Sequence, residues 1–294
     1  MESKILLGDC IQLMSDIPDD SVDMILCDLP YGTTQCKWDT IIPLDELWKQ
    51  YNRVCKKNAA MVLTAAQPFT SALIMSNPKS FRYNWIWEKS KATGYLNSKR
   101  MPLKAHEDVC VFYRKLPTYN PQMWQGTPYN KGTAHRPTNV YGEQGQKERN
   151  ARRKQLTKMS DQDLDAELVL NKLMVEGSRE DKIEKLVDLI KPIEVHVKNE
   201  TGMRYPRTVQ YFKTAESEGK VLHPTQKPLA LFEYLIRTYS NEGEVVLDNC
   251  IGSGTTAIAC MNLNRRFIGM EMDEEYYEIC MERINNHKGG NNVV

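Results

Sequence analysis

Five consecutive residues near the start of the chain combine hydrogen-bond acceptors with an aromatic face. Asp28 ends an apolar run and is followed by Leu29, Pro30, Tyr31 and Gly32. The Asp28 carboxylate and the Leu29 carbonyl, held by the fixed φ of Pro30, could accept two N–H hydrogens from one amino group. The Tyr31 ring could stack on the flat ring that carries this amino group. An ordinary Asp-x-Pro turn beside a packed tyrosine is the alternative, so this segment alone does not establish a site.

A glycine turn near the end of the chain has the spacing of a ligand-binding loop. The apolar strand predicted at 244–247 leads into Asp248, and Gly252, Gly254 and Thr255 then open an apolar helix. The two glycines let the backbone turn sharply and let a ligand approach without meeting a Cβ atom. A tight turn without a ligand is the alternative interpretation of the same residues.

The residues around the turn narrow the kind of ligand. No Lys follows the glycines, as a phosphate-binding P-loop requires, and Ala257 stands where a dinucleotide fold has its third glycine. Glu271 follows the next apolar strand, about 20 residues after the turn, where a carboxylate can accept hydrogen bonds from ribose hydroxyls. A solvated strand end is the alternative for Glu271.

The periodicity of apolar residues predicts strands alternating with helices. Strands are predicted at 4–7, 22–27, 59–64, 82–87, 109–113, 244–247 and 266–270. Helices are predicted at 44–54, 68–76, 160–177, 178–191, 228–239, 256–263 and 274–285, two of them opened by the capping boxes Ser160/Asp163 and Ser178/Asp181. This alternation predicts a mostly parallel α/β sheet covered on both faces. Residues 115–145 have no clear period and are predicted to be loops.

Composition excludes some classes of protein and leaves others open. The chain has 294 residues, with 39 Lys and Arg against 38 Asp and Glu, so any basic surface must be local. No apolar run approaches the roughly 20 residues of a membrane span, and the start of the chain lacks a signal-peptide layout. The eight cysteines form no CxxC pair, which indicates reduced, buried thiols rather than zinc or disulfides.

The two segments, in this order, resemble the β group of S-adenosylmethionine-dependent DNA amino-methyltransferases, in which the catalytic motif precedes the cofactor motif. The resemblance covers most of the chain outside 145–198. It implies a Rossmann-like, doubly wound methyltransferase sheet with circularly permuted motif order and a loop and helical insert. It also implies S-adenosylmethionine as cofactor and double-stranded DNA as substrate, with the target base flipped out of the helix.

The resemblance assigns catalysis to Asp28, Leu29, Pro30 and Tyr31. The family usually has Pro at the second of these positions, where only the carbonyl of Leu29 is needed. An acid at the position of Asp28 goes mainly with adenine-N6 methylation, whereas Ser is the usual cytosine-N4 form. Adenine-N6 methylation is therefore expected, with cytosine-N4 methylation as the alternative.

The cofactor residues also follow from the resemblance. The family's phenylalanine before the glycine pair is replaced here by the apolar Ile251. The resemblance implies that Asp9 lies near the adenine ring and that Glu271 binds the ribose. It implies that the loop with Asp248, Gly252, Gly254 and Thr255 holds the methionine portion. Thr225 and Lys227 are expected at the amino-acid end of that portion.

The middle of the chain is where similar enzymes carry target recognition. The resemblance divides the chain into a catalytic part (1–114), a target-recognition region (115–215, with a helical insert at about 147–198) and a cofactor-binding part (216–294). The basic run 147–158 could follow DNA phosphates through Arg152, Arg153 and Lys154, and a solvated helix start is the alternative. The helices at 160–191 have acidic faces, so they are expected to pack on the body of the protein or on a second subunit, as in a homodimer.

Two other functions remain as alternatives. A catalytically silent DNA-binding module would not need Asp28, Pro30 and Tyr31, and a nicotinamide-dependent oxidoreductase would leave residues 223–228 unexplained. The favoured enzyme is expected in the cytoplasm of a prokaryote, or encoded by a phage, acting on nucleoid DNA. Whether a cognate restriction endonuclease accompanies it is left open by the sequence.

Overall fold

The computed structural model describes residues 2–33, 39–135, 150–170, 177–188, 194–199, 201–219 and 221–290. The chain divides into two compact units: unit 1 combines Met1–Met123 with Tyr205–Val294, and unit 2 is Trp124–Arg204. Among the helices of the described residues, none has the length and apolar content that a membrane span requires.

The strands and helices of the described residues are as follows. The strands are β1 (Lys4–Leu7), β2 (Val22–Asp28), β3 (Cys55–Ala65), β4 (Phe81–Thr93), β5 (Lys104–Phe112), β6 (Trp124–Gln125), β7 (Tyr129–His135), β8 (Glu194–Asn199), β9 (Met203–Arg204), β10 (Val209–Phe212), β11 (Val245–Asp248) and β12 (Arg266–Glu271). The helices are α1 (Cys10–Ser15), α2 (Leu44–Val54), α3 (Phe69–Ser76), α4 (150–156), α5 (Asp161–Leu170), α6 (Arg179–Asp188), α7 (Leu229–Tyr239), α8 (Thr255–Asn262) and α9 (Glu274–Gly290).

The described part of unit 1 is built on a sheet of eight strands, ordered β1-β12-β11-β2-β3-β5-β4-β10. Neighbouring strands are parallel except at β5, which runs antiparallel to both β3 and β4. The mostly parallel α/β sheet predicted from the sequence is confirmed. The predicted strands and helices of this unit are also present, with ends that differ by a few residues.

Alternate residues of the central strands enter two separate apolar cores. On β3, Met61 and Leu63 lie in the core covered by α1, α2 and α3. Ala60 and Val62, which alternate with them along the strand, lie in the core covered by α7, α8 and α9. Because successive side chains of a strand point to opposite faces, the apolar run of β3 is buried on both sides of the sheet.

The parallel arrangement brings three acidic strand ends together. The neighbouring strands β2, β11 and β12 end at Asp28, Asp248 and Glu271, and parallel strands present their carboxyl ends at the same edge of a sheet. The fold therefore gathers residues that lie far apart in the sequence, and it does so at the edge where open α/β sheets bind ligands.

Several short elements differ from the sequence predictions. Residues 115–145 were expected to be loops, but β6 and β7 lie there, so that prediction was wrong for these strands. The short helix α1 and the strands β8, β9 and β10 were not predicted either. Most of these elements have six residues or fewer and no sustained alternation, so periodicity gives them no signal.

Unit 2 contains two antiparallel strand pairs, β6 with β9 and β7 with β8, and the helices α4 to α6. The predicted capping boxes are confirmed, since the hydroxyls of Ser160 and Ser178 accept from the backbone N–H of Asp163 and Asp181 at 3.1 and 3.2 Å. The apolar faces of α5 and α6 pack on each other and on Leu156 of α4, which the sequence did not predict. Parts of the predicted helices (171–176 and 189–191), of the basic run (147–149) and of the predicted loops (136–145) lie outside the described residues.

Candidate active site

A cleft of about 1020 Å³ opens at the carboxyl edge of the sheet in unit 1. Its lining brings together all the predicted catalytic residues and all the predicted cofactor residues except Gly254. These lining residues are Asp9, Asp28, Leu29, Pro30, Tyr31, Thr225, Lys227, Asp248, Gly252, Thr255 and Glu271.

The Asp28 carboxylate at the end of β2 is held from three directions. Its Oδ1 accepts hydrogen bonds from the Tyr31 hydroxyl at 2.7 Å and from the hydroxyl of Thr64 on β3. Its Oδ2 accepts from Lys227 Nζ at 2.6 Å. A carboxylate has about four acceptor positions, so one position on Oδ2 is left for a ligand donor. The carboxylate is thus fixed in one orientation before any ligand arrives.

Lys227 belongs to a row of four alternating charges in the cleft lining, formed by Asp28, Lys227, Glu107 and Lys89. Its Nζ lies 3.6 Å from Glu107 Oε2, and Glu107 Oε1 accepts from Lys89 Nζ at 2.6 Å. Burial alone lowers the pKa of Lys227, but the carboxylates of Asp28 and Glu107 outweigh it and the net shift is upward. Burial raises the pKa of Glu107, and the two lysines more than reverse this, so its net shift is downward. Lys227 and Glu107 are therefore both charged at neutral pH.

The Tyr31 ring is positioned by its neighbours. It stacks on Phe69 with ring centroids 5.3 Å apart and 24° between the planes. Lys227 Nζ lies 5.6 Å from the centroid of the Tyr31 ring. Leu29, which lies between Asp28 and Tyr31 in the sequence, is buried in the core with 3% of its surface exposed. It therefore anchors the backbone of this segment on one side.

The glycine turn after β11 is held at both of its ends by the buried side chain of Asp248. Buried Asp248 accepts from the Cys250 N–H at 3.1 Å and from the Thr256 hydroxyl. Burial raises the pKa of Asp248 to about 7, although these hydrogen bonds oppose the shift. Asp248 therefore stabilises the turn from inside, while Gly252 and Thr255 face the cleft.

Glu271 connects the turn to the end of β12. Its Oε2 accepts from the Gly252 N–H at 2.9 Å, and its Oε1 accepts from the N–H groups of Met272 and Asp273, each at 2.9 Å. Gly252 and Gly254 have φ values of 52° and 85°, and a Cβ on Gly254 would lie 2.7 Å from Cys280 Sγ. Both positions therefore favour glycine, and Gly254 acts in the turn rather than on the cleft wall.

The remaining predicted cofactor residues, Asp9 and Thr225, also line the cleft. Asp9 caps α1, its Oδ1 accepting from the Gln12 N–H at 3.0 Å. The Thr225 hydroxyl lies 3.1 Å from His223 Nδ1, and the Ser253 hydroxyl donates to Gln226 Oε1 at 3.1 Å. Segment 223–227 is therefore bonded to the glycine turn, which fits the pairing of these two motifs.

Two polar residues of the site were missed by the sequence analysis. Thr64 lies in the apolar run of β3 and resembles a core residue, and only its pairing beside Asp28 reveals it. Glu107 precedes the apolar residues of β5 and resembles a solvated strand start. Neither residue has a local sequence signal, because its role depends on which strands lie side by side.

The three predicted DNA-contacting residues lie in unit 2. Arg152 and Arg153 form ion pairs with Glu167 of α5 and Glu184 of α6. Lys154 is exposed and forms no ion pair within the described residues. The phosphate-binding role of the basic run stays a prediction, with two of its three cations engaged inside the unit.

Comparison with known proteins gives matches at three levels. Residues 22–282 match the model of a family described as DNA methylase (N6_N4_Mtase). The type II methyltransferase M.HpaI of Haemophilus parainfluenzae is 48% identical over 68 residues, which is 23% of this chain and 22% of the length of that protein. The crystal structure of an M1.HpyAVI–SAM complex has a TM-score of 0.56 and 20% identity, covering 96% of this chain and 98% of that one. The PvuII DNA methyltransferase, described as cytosine-N4-specific, has a TM-score of 0.56 and 13% identity, covering 98% and 92%.

Proposed function

The chain belongs to the DNA methylase family whose model matches residues 22–282, and we propose that it transfers a methyl group from S-adenosylmethionine to the N6 amino group of adenine in double-stranded DNA. The observation that carries this proposal is the single cleft that joins the Asp28 carboxylate to the glycine turn and Glu271. The M.HpaI match supports it as well, since that relative is a type II methyltransferase. The cytoplasm, where prokaryotic and phage DNA is modified, is the proposed location.

The cleft has the groups that S-adenosylmethionine requires. Glu271 faces the cleft with a carboxylate already aligned by three backbone N–H groups, which leaves about one acceptor position, on Oε2, for a ribose hydroxyl. The glycine turn offers a surface without a Cβ atom at Gly252 for the methionine portion. The cofactor supplies an electrophilic methyl group on a sulfonium ion. The neighbouring M1.HpyAVI structure is described as a complex with this molecule.

Asp28 is proposed to orient the amino group of the flipped base. The nitrogen lone pair of an exocyclic amino group is delocalised into the ring, so the amino group is a weak nucleophile. If Asp28 Oδ2 and the Leu29 carbonyl accept its two N–H hydrogens, the lone pair points at the methyl carbon. S-adenosylmethionine, held by Glu271 and the glycine turn, would supply the methyl group for the new N–C bond, its sulfur would keep the electron pair of the C–S bond, and the amino nitrogen would release one proton to solvent. The fixed negative charge of Asp28 stabilises the positive charge that develops on the nitrogen.

Cytosine-N4 methylation is the second candidate. It is favoured by the structural similarity to the PvuII enzyme, whose described target is the N4 amino group of cytosine. Adenine-N6 is preferred here because the family resemblance associates an acid at the position of Asp28 mainly with adenine.

One experiment identifies the base and the recognition site together. DNA from cells that express the chain would be digested to nucleosides for mass spectrometry, and the same DNA would be sequenced for methylated positions. We expect N6-methyldeoxyadenosine at one defined sequence. Detection of N4-methyldeoxycytidine would show that the target base is cytosine while the methyl-transfer chemistry is as proposed. Unmodified DNA from cells with folded protein would overturn the whole proposal.

A Glu271→Ala variant is expected to bind S-adenosylmethionine about 10- to 150-fold more weakly, because charge-assisted hydrogen bonds are worth about 1.5–3 kcal/mol. Isothermal titration calorimetry measures this directly. The matched control is Glu278→Ala, an exposed acid on α9 that should leave the affinity unchanged. Equal affinities of the parent and the Glu271 variant would remove Glu271 from the cofactor site.

A further inference from the structure

The hairpin between β4 and β5 presents apolar side chains to solvent in a basic setting. Its tip, residues 94–103, exposes Tyr95 by 80%, Leu96 by 98%, Met101 by 54% and Leu103 by 41%. Single exposed apolar residues are normal, but four within ten residues form a patch of the kind that marks a binding surface.

The charged residues of the hairpin itself, from residue 89 to residue 106, are all basic. Lys91, Lys99, Arg100 and Lys104 are exposed, and no Asp or Glu occurs from residue 89 to residue 106. Within the described residues none of these four cations is paired with a carboxylate. A partner that suits this surface is therefore a polyanion that also offers flat apolar faces, which is the combination that the phosphates and stacked bases of DNA provide.

The hairpin projects from the same edge of the sheet as the cleft. Asp28 is in register with Thr64, Thr64 with Val109, and Val109 with Trp85. The chain of β4 continues from Trp85 to Thr93, roughly 25 Å of extended strand beyond that level. Lys91 and Thr93 of β4, with Lys104 and His106 of β5, line the cleft itself. The tip therefore stands at the mouth of the cleft that would receive the target base.

The tip is also ordered by its own hydrogen bonds. The N–H groups of Asn97 and Ser98 donate to the carbonyls of Gly94 and Tyr95, each at 3.0 Å. The N–H groups of Arg100 and Met101 donate to the carbonyl of Asn97 at 2.8 and 3.0 Å. Because the tip is already folded, its apolar residues can be presented to a partner without the entropic cost of ordering a loop.

From these observations we propose that the hairpin tip is a DNA wedge. It enters a groove of the duplex, Tyr95 and Leu96 insert beside the target base and hold the helix open, and Lys99 and Arg100 contact phosphates. The major groove admits a two-stranded β-ribbon, and inserted apolar side chains are an established way to unstack a base step. This inference rests on the proposed function, since it assumes that the cleft acts on a flipped base.

The test compares a paired target with an unpaired one, at the site found by methylation mapping. A Tyr95→Ala/Leu96→Ala variant should methylate the paired duplex about 10- to 100-fold more slowly than the parent, because nothing offsets the unstacking of the base. On the same duplex with the target base opposite a mismatch, the variant should approach the parent. The matched control is Leu116→Ala, which is 79% exposed after β5, at the other edge of the sheet.

The outcomes separate the wedge from the proposed function. An equal loss on both substrates, or no loss on either, overturns the wedge. If the parent itself methylates neither substrate, the proposed function fails first, whatever the hairpin does. Unchanged S-adenosylmethionine affinity of the variant shows that the fold is intact.

The phosphate contacts have a separate readout. A Lys99→Gln/Arg100→Gln variant should flatten the log–log salt dependence of duplex binding by roughly 0.9 per lost contact. The control pair is Lys57→Gln/Lys115→Gln, two exposed cations at the opposite edge of the sheet. A slope equal to that of the parent would remove the hairpin from the DNA-binding surface.

Discussion

An Asp28→Ala variant is expected to lose methyl transfer by about 10³-fold while keeping its affinity for S-adenosylmethionine. The carboxylate is fixed by Tyr31, Thr64 and Lys227, and one position on Oδ2 is left to accept a hydrogen from the base. Removing it takes away both the acceptor and the negative charge opposite the nitrogen that becomes positive. The measurement is single-turnover incorporation of labelled methyl into DNA, with calorimetry for the cofactor.

An Asp28→Asn variant is the matched control for packing. Asparagine keeps the size of the side chain and one acceptor oxygen, but it has no charge and presents an amide to either Lys227 or Thr64. Its turnover should also fall well below that of the parent, with a melting temperature close to the parent value. Turnover near the parent level in the asparagine variant would contradict the electrostatic role of Asp28.

The part of the site that lies at strand ends was predictable from the sequence. Asp28, Asp248 and Glu271 each follow an apolar run, and the alternation of strands with helices indicates a parallel sheet. Parallel strands place their carboxyl ends at one edge, so three acids in this pattern belong together without knowledge of the strand order. The glycine turn adds its own local signal, since its backbone geometry depends on only a few neighbouring residues.

The residues that the sequence did not reveal depend on strand pairing. Thr64 reaches Asp28 only because β3 lies beside β2, and Glu107 reaches Lys227 only because β5 runs antiparallel between β3 and β4. Neither adjacency has a local signature, because a one-residue shift in register would turn each side chain to the other face. The hairpin tip was not predicted to bind DNA for the same reason. Its exposed apolar residues indicate a binding surface only when β4 is known to run past the cleft.

Two roles of Lys227, in binding the cofactor and in positioning Asp28, can be distinguished by experiment. The family resemblance places it at the amino-acid end of the cofactor, and this stays a prediction. Its Nζ lies 2.6 Å from Asp28 Oδ2, 3.6 Å from Glu107 Oε2 and 3.5 Å from the Thr225 carbonyl. We therefore expect Lys227 to act as a positioning residue that holds the Asp28 carboxylate, with Glu107 and Lys89 holding Lys227 in turn.

Lys227 and Glu107 keep their charges across the neutral range. The pKa of Lys227 is raised by folding, so its contribution to stability is present below the unfolded pKa of about 10.4 and is lost as the pH rises through the folded value. The pKa of Glu107 is lowered, so its contribution is present above the unfolded pKa of about 4.3 and is lost as the pH falls through the folded value. Between these limits a change in turnover caused by replacing Lys227 or Glu107 reports on geometry and charge rather than on a change in the protonation of that residue.

A Lys227→Met variant is expected to lose about 10²-fold in kcat at saturating S-adenosylmethionine, because a displaced carboxylate no longer aligns the amino group. It should also lose about 3–5 kcal/mol of stability, since Asp28 and Glu107 are left as partly buried carboxylates without their shared cation. The double variant Lys227→Met/Asp28→Asn removes one of these charges and leaves the Glu107–Lys89 pair intact, so it should regain part of the stability but none of the turnover. Lys227→Arg, which keeps the charge, should retain more turnover than Lys227→Met. If instead the methionine variant keeps its kcat and only its S-adenosylmethionine affinity falls, then Lys227 anchors the cofactor and its bond to Asp28 is incidental to catalysis.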